Sequence, residues 1–394
     1  MRICIVVNTF PNVSETFIIN KVIALAAHGN KVSVACFKEH EEKDIFSAYE
    51  LRNKNISVHV IGLSKSVPSI IGSCLQNPGL FFRSLSLNIK KMRKNYEHNY
   101  YLYFFKKIKY DIIHFEFSGL GVTFLPIIPK LKGKKVVSCR GTAEKVKLTL
   151  HADRKDGLTQ LFQRVDMIHC VSDDMKNTVL PYCRDTSKIF VNRPAIDPEY
   201  FKPELIREEG DANTVKILTI IRLAFVKGVL IGLLAVRTLV RKGIPVHWNI
   251  IGDGPQKEEI MFHIHYLGLE KHVSLLGRKP KEAVNDALNR TDIFMLTSYS
   301  EGIPNVVLEA MSKEKPVVST RCGGVEEVID HGIDGFIAEM YDHDAVATYV
   351  ERLALDKPLR QQIGAEARKK VLAEYTLSRQ VKVFEENYHL LLAE

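Results

Sequence analysis

The apolar run Asp292-Ile293-Phe294-Met295-Leu296 is followed by a polar turn, and then by Val306, Val307, Ala310 and Met311 at helical spacing. A short, continuous apolar run has the length and residue types of a strand buried on both faces, and such strands belong to parallel sheets. The period then switches to that of a helix. Pro304 stands where a proline at the first helical position is tolerated, because its missing N–H has no intrahelical acceptor there. Strand, loop and helix in this order point to a doubly wound α/β sheet. The loop from Ser300 through Gly302, Ile303 and Pro304 to Asn305 would lie where backbone N–H groups meet the positive end of a helix. That setting suits phosphate or sugar oxygens. Glu301 in the loop and Glu309 in the second helical turn flank it. A carboxylate buried near a helix start is costly unless it is hydrogen-bonded. The adjacent hydroxyls of a ribose or a pyranose are a partner that would satisfy it.

The rest of the chain repeats the pattern. Arg2 to Val7 reads as a buried strand and Asn8 to Val13 as a loop. Ser14 reads as the cap of a helix that runs through Phe17, Ile18, Val22 and Leu25 to Gly29. Val32 to Phe37 completes a βαβ unit. The G-x-G-x-x-G fingerprint of dinucleotide sites is missing after the first strand. Asp111 to Phe117, Lys134 to Cys139, Val165 to Ser172 and Ile189 to Pro194 read as further strands. Glu116 and Arg140 stand at two strand ends, where ligands of doubly wound sheets bind. Glu116 either faces the reacting sugar or is an exposed strand-end acid. Arg140 either holds a phosphate or acidic sugar, or pairs with a core carboxylate.

Asp197 to about Asn213 reads as a linker. Beyond it, Val215 to Ile221 is a strand, with Arg222 and Lys227 five residues apart in the following loop. Both can reach one dianionic site and stabilise charge on a departing diphosphate. Trp248 to Ile251 leads to Gly252-Asp253-Gly254-Pro255, whose glycines allow close backbone approach. Val273 to Gly277 leads to Arg278-Lys279-Pro280. Leu377 to Leu392 reads as an amphipathic helix.

The chain has 394 residues, enough for two to three domains with large cores. No stretch approaches the ~20 apolar residues of a membrane span. The run at Met1 to Val7 is too short for a secretory signal. Seven cysteines, without a C-x-x-C pair, argue against a disulfide framework or a structural zinc site and for a reducing cytoplasm. The net charge of +9 fits an anionic partner. Residues 83–109 concentrate that charge: Arg83, Lys90, Lys91, Arg93, Lys94, Lys106, Lys107 and Lys109 stand against the single acid Glu97. Leu85, Ile89, Met92, Tyr96, Tyr100 and Tyr103 recur there at helical spacing. The segment reads either as a membrane-surface element or as a helix whose apolar stripe packs on its own core. No nucleic-acid-binding module accompanies the charge, so nucleic acid is not expected as a partner.

Ser300 to Asn305 with Glu309-Ala310-Met311, then Pro316-Val317-Val318-Ser319, Gly323-Gly324-Val325-Glu326-Glu327, Gly332 and Asp334-Gly335-Phe336, resemble the family 4 retaining glycosyltransferases of the GT-B fold. Phe10 to Ile18 resembles the opening of a polysaccharide-building subgroup of that family. The resemblance implies two Rossmann-like domains facing a central cleft: residues 1–205 on the acceptor side, and residues 206–376 binding a uridine- or guanosine-linked nucleotide-diphosphate sugar. Residues 377–394 would return to the first domain. Glu309 would hold the ribose hydroxyls, Glu301 the donor-sugar hydroxyls, and Gly302 to Asn305 the sugar or phosphate. Arg222 and Lys227 would neutralise the leaving diphosphate. Gly252, Gly254, Arg278 and Lys279 would complete the donor side, and Phe10, Ser14, Glu15 and Thr16 would face the acceptor.

Arg140 stands where relatives carry a histidine, so that histidine's role cannot be transferred. With two fixed cations and no D-x-D pair, a metal is not required for chemistry. Glu116 is the side-chain base to test. The expected activity is that of a hexosyltransferase building a cell-surface polysaccharide on a saccharide or lipid-linked acceptor, in the cytoplasm or on the inner membrane face. A nucleotide-sugar epimerase or a silent nucleotide-sugar-binding protein are the alternatives.

Overall fold

The computed structural model describes residues 1–12, 15–39, 53–62, 79, 89–204 and 213–393. Two compact units divide the chain. The first holds Met1–Val171, Lys176–Asn192 and Val381–Glu394; the second holds Ser172–Met175 and Arg193–Gln380. The Ser172–Met175 excursion has a local cause: the Glu327 carboxylate accepts the backbone N–H groups of Asp173 and Asp174 at 3.0 and 2.8 Å.

The first unit is a parallel sheet of seven strands: β1 (Arg2–Phe10), β2 (Lys31–Glu39), β3 (Ile56–Val60), β4 (Ile112–Phe115), β5 (Lys134–Cys139), β6 (Met167–Cys170) and β7 (Ile189–Val191). Their order is β3-β2-β1-β4-β5-β6-β7. The second unit has six: β8 (Val215–Ile220), β9 (Val246–Ile251), β10 (Val273–Gly277), β11 (Ile293–Leu296), β12 (Val317–Thr320) and β13 (Gly335–Ala338), in the order β10-β9-β8-β11-β12-β13. The order reverses once in each sheet, between β1 and β4 and between β8 and β11. Loops leaving neighbouring strands diverge to opposite faces there, which leaves a crevice at the strand carboxyl ends.

Central strands carry uninterrupted apolar runs because helices cover both faces. Ile3 to Val7 and Ile293 to Met295 are fully buried. The helix Leu377–Ala393 enters the core of the first unit, where Val381, Phe384, Tyr388 and Leu391 pack with Ile5, Ile18 and Val22.

The helix Ile89–Lys107 corrects the expected apolar stripe. Tyr96, Tyr101, Leu102 and Phe105 are buried, whereas Tyr103 is exposed with Lys107 over its ring. Six consecutive apolar or aromatic residues from Tyr100 to Phe105 leave the face open in sequence. Phe124 settles it by packing on Tyr101 at 5.1 Å and Phe105 at 6.0 Å between ring centroids. Leu85, with the rest of 83–88, lies outside the described residues. Among the described residues, no helix is long and apolar enough to cross a membrane.

Candidate active site

In the second unit, the loops after β8, β9, β11 and β12 are stitched to one another by their backbones. Val226 C=O accepts Tyr299 N–H at 2.7 Å, Cys322 C=O accepts Glu301 N–H at 2.9 Å, and Asp253 C=O accepts Leu223 N–H at 3.0 Å. Two glycines make this closeness feasible. Gly228 has a φ of 56°, and a Cβ there would lie 2.1 Å from Thr297 O. A Cβ at Gly324 would lie 2.2 Å from Gly302 O. Any other residue would push the loops apart.

Lys227 and Glu301 meet in this nest. Lys227 Nζ lies 2.6 Å from Glu301 Oε1, which also accepts Ser298 Oγ–H at 2.7 Å. Glu301 Oε2 has no partner among the described residues. Arg222 is exposed, with no ion pair among the described residues, as are Arg278 and Lys279 after β10. Gly302 and Ile303 are buried.

The helix begins at Asn305, one residue later than expected. Pro304 takes an extended ψ of 122° and occupies the capping position. Its carbonyl takes Val307 N–H at 3.0 Å, while the preceding first-turn N–H groups have no intrahelical acceptor. Glu309 faces inward from the second turn. Its carboxylate receives no hydrogen bond among the described residues, and burial pushes its pKa up to about 7 against the opposing pull of the Lys281 ammonium. Lys281 sits over the Tyr200 ring at 3.8 Å.

In the first unit, Phe10 is buried at the end of β1, and Glu15 and Thr16 open the helix Thr16–Ala27. Ser14 lies outside the described residues. Glu116 is fully buried, which corrects its reading as an exposed strand-end acid. Its Oε1 is 2.6 Å from Lys21 Nζ, and its Oε2 pairs with the Arg140 guanidinium. Arg140 also donates to Glu116 C=O at 3.1 Å and lies 4.4 Å over the Phe17 ring. Of the two roles open to Arg140, the pairing with a core carboxylate is the one realised. Burial alone would raise the Glu116 pKa, but Lys21 and Arg140 hold it well below the usual carboxylate range. An ionised, enclosed carboxylate between two cations positions its neighbours and is a poor proton acceptor. Glu15 differs. Burial pushes it up to about 7, Arg140 opposes this and Glu116 adds to it, and its Oε2 is buried without a partner among the described residues.

Two family models match in succession. The Glycosyltransferase Family 4 model covers residues 14–200, and the Glycosyl transferases group 1 model covers residues 202–370. The chain belongs to the family 4 type of glycosyltransferases. The amylovoran biosynthesis glycosyltransferase AmsK of Erwinia amylovora is 30% identical over 270 residues, covering 67% of this chain and 66% of that protein. The putative colanic acid biosynthesis glycosyltransferase WcaL of Escherichia coli K12 is 25% identical, covering 94% of this chain and 95% of that one. Among solved structures, Anabaena HepE in complex with UDP and glucose has a TM-score of 0.76 at 17% identity, covering 98% of each chain. The fold is GT-B.

This glycosyltransferase carries a buried polar chain that the sequence reading missed. His114 Nδ1 lies 2.6 Å from Tyr388 Oη and 3.1 Å from Lys21 Nζ. His114 Nε2 contacts Ser138 Oγ at 2.7 Å, and Ser138 contacts His169 Nδ1 at 2.8 Å. Burial, with Lys21 and Arg140 adding, drives both imidazoles well below their ordinary pKa and keeps them neutral. A signal for Lys21 existed: it lies four residues after Phe17 and four before Leu25, on the apolar stripe of its helix.

Proposed function

We propose that this glycosyltransferase moves a sugar, with retention of anomeric configuration, from a nucleotide-diphosphate donor to a saccharide acceptor in cell-surface polysaccharide biosynthesis. The observation that carries the donor reading is the Lys227–Glu301 pair at the β8/β11 reversal, beside an exposed Arg222 and an inward Glu309 carboxylate without a hydrogen bond among the described residues. Arg222 and Lys227 neutralise the diphosphate as the anomeric C–O bond breaks. Glu301 Oε2 accepts a donor-sugar hydroxyl, and Glu309 accepts the ribose hydroxyls. Gly302 to Asn305, with Gly252, Gly254, Arg278 and Lys279, enclose the remainder of the donor.

The acceptor hydroxyl attacks on the face the diphosphate leaves, and its proton passes to the departing phosphate oxygen. With the leaving charge met by two side-chain cations, the reaction does not require a metal. Glu116 is given no proton-transfer role; with Arg140 it fixes the acceptor side next to Phe10, Glu15 and Thr16.

The names of AmsK and WcaL support the polysaccharide assignment, and the UDP bound by HepE supports a uridine-linked donor over a guanosine-linked one. The exposed Lys94, Lys106, Lys107 and Lys109 support a lipid-linked acceptor met at the cytoplasmic face of an anionic membrane.

Calorimetric titration with uridine and guanosine diphosphates and their sugars tests this reading. The expected result is binding to uridine nucleotides that Lys227→Met weakens about tenfold or more, as loss of a charge-assisted bond implies. No binding to any nucleotide by the folded protein overturns it.

A further inference from the structure

A cavity of about 920 Å³ lies between the helices Ile89–Lys107, Ser118–Phe124 and Ala152–Arg164 of the first unit. Gln160 and Arg164 line it from the last turn of their helix, and Leu125 follows directly on the end of another. Glu15, Glu116 and Arg140 are not among its lining residues. The donor and acceptor residues named above do not explain it.

Its lining is cationic over an apolar wall. Lys94, His98 and Arg164 face Val122 and Leu125, and Glu97 is the one acid in the lining. Arg164 is held in place: its Nη1 donates to Leu125 C=O at 2.9 Å, and its Nη2 and Nε have no partner among the described residues. Lys94 and Arg164 are exposed at the rim. His98 is half-buried and feels the charges of Lys94 and Lys130. Burial and those two ammonium groups push its pKa down against the opposing pull of the Glu97 carboxylate, so it offers a neutral N–H rather than a third fixed charge. An anchored guanidinium fork, an ammonium and an imidazole around one opening match a tetrahedral oxyanion, and the guanidinium can bond it through two N–H groups.

We propose that this cavity is a phosphate-binding site that takes a phosphoester, with the apolar wall of Val122 and Leu125 receiving the organic part. The phosphoester can come from two sources: a soluble phosphorylated metabolite, or the headgroup of an anionic lipid. The site stands independently of the donor reading.

The test uses the full chain in low salt. Glycerol 3-phosphate is titrated by calorimetry, and vesicles of phosphatidylcholine with and without phosphatidic acid are co-sedimented. Each is repeated with Lys94→Glu/Arg164→Glu. Arg241→Glu/Lys271→Glu serves as a control for charge alone, and Arg164→Lys as the conservative variant. Thermal melts establish that each variant is folded. The expected result is binding to glycerol 3-phosphate, to phosphatidic acid vesicles or to both. It should fall at least tenfold in Lys94→Glu/Arg164→Glu, change less than threefold in the control pair, and be partly kept in Arg164→Lys.

Binding to glycerol 3-phosphate assigns a soluble source. Binding to vesicles alone assigns a lipid headgroup. Binding to neither overturns the site, and so does equal loss in the control pair, which would reduce the effect to net charge.

Discussion

Glu309 gives the sharpest quantitative expectation, because its carboxylate is buried without a hydrogen bond among the described residues, and burial pushes its pKa up to about 7. A ribose diol donates to a carboxylate, so the donor selects the ionised form. With a pKa of about 7, roughly a tenth of Glu309 is ionised at pH 6 and roughly nine tenths at pH 8. Affinity for an intact nucleotide sugar should rise about tenfold across that interval, then level off. The sugar diphosphate is the right probe, since a free diphosphate has its own phosphate titration near pH 6.

Stability moves the other way. The folded-state pKa is raised above its ordinary 4.5, so the folded protein binds the extra proton between pH 4.5 and about 7. Stability from this group is full below pH 4.5, falls as pH rises through about 7, and is constant above. The span is about 3 kcal/mol. Glu309→Gln should therefore be more stable than the parent at pH 8, should lose that advantage at pH 4, and should bind the nucleotide sugar weakly with no pH slope from 6 to 8. Calorimetry and urea unfolding across pH measure both effects. A parent affinity flat from pH 6 to 8, or a slope retained by Glu309→Gln, would refute the role given to this carboxylate.

Lys21→Met should cost the first unit about 3–5 kcal/mol in urea unfolding, because it removes one of two cations from a fully buried carboxylate. Adding Glu116→Gln should recover part of that loss, and a single-variant cost under about 1 kcal/mol would mean the pair is dispensable. Gly228→Ala forces a side chain into left-handed backbone against Thr297 O. It should destabilise the second unit by about 1–3 kcal/mol and weaken nucleotide binding in the same preparation, whereas unchanged binding would separate the loop from the donor site.

The sequence is most informative where structure is local. β11, its loop and the helix Asn305–Ser312 fall where the change of period puts them, because a buried parallel strand and a helix start each leave a signature within a few residues. Gly29, with a φ of 85°, ends the first helix as its position implies. β3 was passed over: it is a short edge strand whose polar and apolar residues alternate without a long apolar run.

Long-range pairing was out of reach. That Glu116 finds Lys21 and Arg140, residues 95 and 24 positions away, is decided by which strands lie side by side. The run Ile112-Ile113-His114-Phe115-Glu116 did carry a warning, since polar residues in a strand covered on both faces must find partners. In the helix Ile89–Lys107 the existence of the helix is legible, but the choice of inward residues is not, for a related reason. With aromatic residues on every face, only its tertiary partners choose which turn inward.

The last helix has a consequence for the order of synthesis. Val381, Phe384, Tyr388 and Leu391 complete a core otherwise built from the earliest strands, and Tyr388 bonds to His114 of β4. Ribosomes deliver that helix after the whole second unit. Until then the first unit displays the apolar groove meant for Phe384, and His114 and Lys21 lack the aromatic cover over them. The amino-terminal half is thus made first and finished last. While it waits, it is the stretch of the nascent chain with the greatest need of protection from aggregation.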